Sequence, residues 1–192
     1  MSVTFKGGIH PSYAKELASG ASIDTLDPPQ TAVVHLSQHI GAPAKAVVKK
    51  KDEVKRGQVI GEPAGFVSVP IHAPISGKVT DVGLKPHPFG GHQEAVTIES
   101  DGEDAWVDLP KEAKPEDLSG DEIKERIKDG GIVGLGGAAF PTHVKLSPPA
   151  HKKIDTVLLN GAECEPYLTA DDRLMQEEPQ RVITGLRAVM TA

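Results

Sequence analysis

Residues 73–82 read APISGKVTDV and combine a proline, a serine–glycine turn and a short strand run from Gly77 to Val82. Gly and Pro interrupt helices, whereas Val residues alternating with polar ones are typical of a strand with one buried face. Runs of the same kind, each bounded by Gly, Pro or Asp, recur at 31–36, 46–49, 59–60, 66–69 and 95–98. Many short strands separated by turn residues predict a small all-β barrel or sandwich module over residues 31–100.

The stretches on either side of this module have a different pattern. Residues 1–30 show little periodicity and are interpreted as an N-terminal arm. Residues 101–118 are acidic, contain proline and carry the only tryptophan, Trp106, so we expect a surface linker that this ring packs down. Residues 119–192 change to a mixed pattern of helices and strands.

A helix is predicted at the start of this last segment. Ser119 and Glu122 have the spacing of a capping box, and the helix is expected to end at Gly130 and Gly131. Two further helices are expected after Thr169 and from Pro179.

A compact apolar run, IDTVLL at residues 154–159, predicts a buried parallel strand. The fold class is therefore α+β, a β module followed by the beginning of an α/β domain. One strand does not make a parallel sheet, so the chain is expected to be a fragment or a truncated product.

The composition excludes several classes of function. The chain has 192 residues, a net charge of −6 and one cysteine, Cys164. This charge does not favour nucleic acid, and one thiol cannot hold an iron–sulfur cluster or an all-cysteine zinc site. No run approaches the roughly 20 apolar residues of a membrane span, and the N-terminus lacks a secretory signal, so we expect a soluble chain.

A glycine-rich loop at residues 134–139 is the strongest local signal for ligand binding. Small residues let the backbone approach a ligand, and consecutive amides can point at a phosphate. A helix opening at Pro141 would add its positive end, and Lys145 a full charge. The loop follows a helix rather than a strand and lacks Gly-Lys-Ser/Thr, so it is neither a dinucleotide fingerprint nor a P-loop. A tight connection between two helices remains the alternative.

A second candidate, NGAECEP at residues 160–166, directly follows the predicted strand. Carboxyl ends of parallel strands are where open α/β sheets bind ligands, and an amide with carboxylates can hydrogen-bond a ring or a sugar. A solvated turn is the alternative. Cys164 has no nearby histidine and is interpreted as a small packed residue rather than a nucleophile. The histidines show no zinc spacing, although His35 and His39 could converge with His72. No catalytic residue and no metal ligand is assigned.

Four longer motifs carry a resemblance over essentially the whole chain. They are FKGGIH at 5–10, LSQHIGAPA at 36–44, GIVGLGGAAFPTHVKL at 131–146 and LNGAECEPYLTADDRLM at 159–175. Together they resemble the C subunit of the Rnf electron-transport complex, and the last two also resemble the flavoprotein subunit of respiratory complex I.

The resemblance implies a function and a set of partners. In this family the C subunit is the NADH-handling member of a complex that passes electrons between NAD(H) and ferredoxin and couples them to ion translocation. It carries FMN and iron–sulfur clusters, lies on the cytoplasmic side of the bacterial plasma membrane as a peripheral subunit, and contacts the other subunits. The 4Fe-4S clusters belong to a part of the family sequence that this chain lacks, so no cofactor is expected to stay bound here.

The resemblance also implies which residues bind the cofactor. Gly134, Gly136, Gly137 and Lys145 would line the phosphate and ribityl side of FMN, and Asn160 and Glu165 would face the flavin or the nicotinamide. Leu135 and Ala162 depart from the complex I pattern, so no contact is transferred to them.

Residues 40–83 resemble a lipoyl-type barrel. The stretch from 62 to 70 has no lysine to receive lipoate or biotin, which predicts an unmodified structural or docking module. A non-catalytic docking module of a membrane redox complex is therefore the alternative function for the chain as a whole.

Overall fold

The computed structural model describes residues 8–9, 11–149 and 151–192. Most of the N-terminal FKGGIH motif, including Phe5 and His10, lies outside the described residues. The chain divides into two units: one contains Leu26–Ile154 with Ala188–Ala192, and the other contains the described residues up to Thr25 with Asp155–Arg187.

In the first unit, the described residues form seven antiparallel strands in two sheets. One sheet has the order β1–β7–β6–β3 and the other has the order β2–β4–β5. The strands are β1 Thr31–His35, β2 Lys45–Ala46, β3 Glu53–Val54, β4 Val59–Glu62, β5 Ile71–His72, β6 Gly77–Pro86 and β7 His92–Ser100.

The two longest strands, β6 and β7, form a hairpin whose register depends on a glycine. Gly77 pairs with Ser100 and has φ +149°. A Cβ at Gly77 would lie 2.0 Å from the Glu99 carbonyl oxygen, so no other residue allows the strand to begin there.

The core of this unit lies between the two sheets. Side chains from β1, β4, β6, β7 and the turns between strands form one cluster, in which Leu36, Ile60, Ile75 and Ile98 are at most 2% exposed. Each such side chain contributes about 1.5–3 kcal/mol on burial. The predicted β module is thus present, with two errors in its strands. The predicted run at 46–49 is a strand only at Ala46, the end of β2. Residues 66–69 are not a strand, because pairing with β4 begins at Ile71.

The beginning of the predicted linker is attached to the β module. The Arg56 guanidinium carbon lies 4.5 Å from the centre of the Trp106 ring. Nη1 of Arg56 lies 2.8 Å from the Asp104 carboxylate. The Arg56 amide donates to the Ala105 carbonyl, and the Val107 amide donates to the Arg56 carbonyl. The Trp106 ring thus packs against Arg56 of the β module while it is 49% exposed, and the bounds of the linker stay a prediction.

The first helix, α1, spans Gly120–Asp129 and has the predicted capping box. The Ser119 amide donates to the Glu122 carboxylate at 2.8 Å, and the Glu122 amide donates to Ser119 Oγ at 3.3 Å. The hydrogen bonds that the Glu122 carboxylate accepts from the Ser119 amide and hydroxyl lower the pKa of Glu122. Ile123 is buried, and the helix stops at Gly130 as predicted.

The predicted strand at residues 154–159 is wrong. The structure shows no strand there, and Ile154, Leu158 and Leu159 are 66%, 88% and 56% exposed. A parallel strand is stable only when a neighbouring strand pairs its backbone, and no described strand does so.

The second unit is helical. Helix α3 spans Ala170–Glu177, and helix α4, Pro179–Thr191, belongs to this unit up to Arg187; the two helix signals predicted both helices. The arm is held here, since Lys15 Nζ donates to the Leu168 carbonyl at 2.7 Å and the Tyr167 amide donates to the Tyr13 carbonyl at 2.7 Å. No helix among the described residues has the length and apolar character needed to span a bilayer.

Candidate functional site

The glycine-rich loop leaves α1 and returns as a narrow turn. The Gly134 amide donates to the Phe140 carbonyl at 2.9 Å, and the Thr142 amide donates to the Ile132 carbonyl at 3.0 Å. Residues 135–138 form the tip, where Leu135 is 90% exposed. The base of the loop is therefore fixed by the backbone, and its tip is open to solvent.

The fold of this unit does not require the three glycines of the loop. None of Gly134, Gly136 and Gly137 has a positive φ. A Cβ at Gly136 or Gly137 would meet no atom within 4 Å, and one at Gly134 would lie 3.8 Å from the nearest atom. The missing side chains leave empty space above the backbone, which is the space a close-lying ligand needs.

The loop also offers unused hydrogen-bond donors. Among the described residues, the backbone amides from Leu135 to Phe140 have no acceptor. Exposed amides at the tip of a turn can bind an anion such as a phosphate.

The cation next to the loop is Lys145, at the end of helix α2, Thr142–Lys145. The Lys145 side chain is exposed and forms no ion pair with the described residues. Since α2 has only one turn, its dipole adds less positive charge than the sequence suggested. Lys145 is thus an exposed positive charge on the helix that directly follows the loop.

Helix α2 also carries a buried histidine. His143 is 8% exposed, and its Nδ1 has no hydrogen-bond partner among the described residues. Burial lowers the pKa of His143, an interaction with the Phe66 backbone acts in the opposite direction, and the charge of Lys128 lowers the pKa again. The ring is therefore neutral near pH 7.

The second predicted segment belongs to the helical unit. Asn160 Oδ1 accepts from the Ala162 amide at 3.0 Å, and the Glu165 side chain is exposed. Glu163 accepts from the Asp172 amide at 3.1 Å, so it caps α3 in place of Thr169, whose side chain makes no cap.

The structure therefore brings together four of the six predicted site residues. Gly134, Gly136, Gly137 and Lys145 lie on one loop and the helix that follows it, whereas Asn160 and Glu165 belong to the other unit. The thiol of Cys164 is free and exposed, contrary to the expectation that it is packed.

Histidines of the β module line an open cleft of about 600 Å³. The His35 and His87 rings meet edge to face at 4.8 Å, and His72 lies on the same cleft, whereas His39 is buried elsewhere. No group of three or more metal-binding side chains is present among the described residues.

Comparison with known proteins gives two family matches. Residues 3–103 match the family described as the RnfC barrel sandwich hybrid domain, and residues 127–192 match the Nuo51 FMN-binding domain. These matches and the observed strands and helices confirm the predicted α+β fold class.

Three curated relatives align with nearly all of the chain. It is 51% identical over 191 residues to the C subunit of the Na(+)-translocating ferredoxin:NAD(+) oxidoreductase complex of Acetobacterium woodii. It is 47% identical to the C subunit of the proton-translocating ferredoxin:NAD(+) oxidoreductase complex of Clostridium ljungdahlii, and 44% identical to the C subunit of the ion-translocating oxidoreductase complex of Rhodobacter capsulatus. The alignments cover 97%, 97% and 96% of this chain but only 42%, 41% and 36% of those proteins.

Proposed function

Since the chain belongs to the RnfC family, we propose that it forms part of the NADH-handling subunit of an ion-translocating ferredoxin:NAD oxidoreductase complex. In this proposal the glycine-rich loop and Lys145 hold the phosphate of FMN. The observation that carries the proposal is the open space above Gly136 and Gly137, because neither the backbone conformation nor packing requires glycine there.

The residues present fit a flavin phosphate. Amides from Leu135 to Phe140 supply donors without acceptors, and the unpaired Lys145 supplies a charge. Charge-assisted hydrogen bonds of this kind are about twice as strong as neutral ones. For Asn160 and Glu165 we propose the role that the family pattern implies, which is contact with the flavin ring or the nicotinamide.

Each part of the chain has a limited role in this proposal. When bound, FMN supplies the exchange of a hydride for single electrons. The loop and Lys145 would bind and orient FMN. No residue of the chain is proposed to donate or accept a proton in the reaction. The iron–sulfur clusters are assigned outside this chain because Cys164 is its only cysteine. The protein would act as a peripheral subunit on the cytoplasmic side of the plasma membrane, in contact with the other subunits.

The test is the flavin content of the intact protein that carries this sequence. We expect purified protein to release FMN on denaturation, in about equal molar amount, and its flavin absorbance to bleach when NADH is added under anaerobic conditions. A colourless protein that neither binds added FMN nor reacts with NADH would contradict the proposal. If such a protein still bound a partner subunit, the non-catalytic docking function would replace it.

A further inference from the structure

The stretch of the β module that lacks a modifiable lysine, residues 62–70, turns inward only at its end. Ser68 and Val69 are at most 1% exposed. The Ser68 hydroxyl donates to the Ala42 carbonyl at 2.9 Å, and the Ala42 amide donates to the Val67 carbonyl at 3.0 Å. The end of this stretch is therefore bound to the turn at residues 39–42 and is not free to carry a swinging group.

His39 joins the two segments through both of its ring nitrogens. The Val69 amide donates to His39 Nε2 at 3.3 Å, and His39 Nδ1 lies 3.1 Å from the Ile40 carbonyl oxygen. Because Nε2 accepts a hydrogen bond it carries no proton, so Nδ1 carries the proton and donates to Ile40. With the side chain 7% exposed and both nitrogens used, the imidazole is held in one orientation.

The same turn reaches the glycine-rich loop. The Ile40 amide donates to the Ala138 carbonyl at 3.3 Å. The turn lies close against residue 67, and only glycine fits there, because Gly41 has φ +104° and a Cβ would lie 2.1 Å from the Val67 carbonyl oxygen. A continuous series of hydrogen bonds thus runs from Val69 through His39 and Ile40 to the tip of the loop.

The other end of the loop meets the same stretch. Helix α2, which follows the loop and carries Lys145, contains the buried His143, and the nearby backbone of Phe66 acts to raise the pKa of this ring. The helix after the loop therefore also lies near residues 66–69 of the β module.

We propose that His39 is a positioning residue for the FMN site: it fixes the turn that holds the Ala138 carbonyl, and so fixes the loop amides for a phosphate. The inference rests on the proposed function. It assigns the β module a role in the flavin site itself, where the sequence indicated only a structural or docking role.

The test compares three variants of the intact protein. His39→Leu fills the space of the imidazole with an apolar side chain and removes both hydrogen bonds. His39→Gln places an amide oxygen where Nε2 stood and can still accept from Val69. Ser76→Ala is the matched control, because Ser76 is 1% exposed and bonded to Asp101 and Ala105 rather than to the loop.

Two measurements are made on each variant. In FMN titrations we expect His39→Leu to lose about two- to tenfold in affinity, the effect of one neutral hydrogen bond. His39→Gln should recover most of this loss, and Ser76→Ala should bind like the parent although it unfolds more easily. Without flavin, the Ile40 and Gly134 amides should exchange with solvent faster in His39→Leu than in Ser76→Ala.

The outcomes separate this inference from the proposed function. If the parent binds FMN and a folded His39→Leu binds it equally well, the inference is overturned and the function stands. If the parent does not bind FMN, the function fails, and unchanged exchange at Ile40 and Gly134 in His39→Leu overturns the inference as well. Should His39→Leu not fold, His39→Asn takes its place, since its amide matches the position of Nδ1 but cannot reach Val69.

Discussion

Replacing Gly136 should separate flavin binding from folding. Gly136 lies at the exposed tip of the loop, has no positive φ, and has no atom within 4 Å of the position that a Cβ would take. Where the backbone conformation already suits an L residue, Gly→Ala stabilises a protein by about 0.4–1 kcal/mol, because alanine lowers the conformational entropy of the unfolded chain. The free energy of unfolding of Gly136→Ala should therefore be equal to that of the parent or slightly higher.

The same methyl group would stand in the space we assign to the ligand. Forcing an extra methyl into an occupied site costs about 1–3 kcal/mol, which is roughly a five- to 150-fold loss of FMN affinity. Gly136→Val should lose more, because its branched side chain fills more of the space.

The assay combines flavin fluorescence titration with denaturant unfolding of each variant. Gly83→Val is the matched control. Gly83 lies in β6, has no positive φ, and a Cβ there would lie 3.8 Å from the nearest atom. This variant should bind FMN like the parent. Gly41→Val should fail to fold, because its Cβ would lie 2.1 Å from a carbonyl oxygen. If folded Gly136→Val bound FMN like the parent, the loop would be a structural turn and the flavin site would lie elsewhere.

Four further predictions concern the lysine, the histidines, the linker and the barrel. Lys145→Ala should weaken FMN binding about ten- to a hundredfold while the exposed control Lys153→Ala does not, measured by the same titration. Since burial lowers the pKa of His72 and His143 below 6.5, the unfolded chain takes up protons that the folded chain does not. The melting temperature should therefore be constant above pH 7 and fall as the pH drops below about 6.5. The fall should be less steep in His143→Phe, and an identical slope in that variant would contradict the role assigned to His143. Limited proteolysis should cut first in the exposed residues 108–114, and early cuts within the β strands would refute the proposed boundary. Intact mass after co-expression with biotin and lipoate ligases should be unchanged, and a gain matching either group would overturn the assignment of an unmodified barrel.

Local signals in the sequence predicted the elements that depend on local interactions. The Ser119 and Glu122 spacing predicted the start of α1, because a capping box needs only residues three apart. Short strands bounded by Gly and Pro predicted the β module, since each buries one face in the same core.

The errors arose where distant parts of the chain decide the structure. Residues 154–159 have the composition of a buried strand, but a strand also needs a partner, and sequence pattern cannot supply one. Residues 66–69 are apolar enough for a strand, yet Ser68 and Val69 bond to the turn at 39–42 instead.

The candidate site was predictable only in part. The glycines and Lys145 are neighbours in sequence and form one loop and helix, so their proximity followed from the motif. The role of His39 depends on hydrogen bonds to Val69 and, through Ile40, to Ala138. No sequence pattern indicates these bonds, because the partners are far apart along the chain.

The claim that the glycine loop and Lys145 recognise a phosphate is tested most directly by comparing FMN with riboflavin, which lacks the phosphate. Binding of both to the intact apo-protein would be measured by flavin fluorescence, in the parent and in Lys145→Ala. We predict that the parent prefers FMN by at least about tenfold and that Lys145→Ala removes most of this preference by weakening FMN alone. Equal affinity of the parent for riboflavin and FMN would contradict the account.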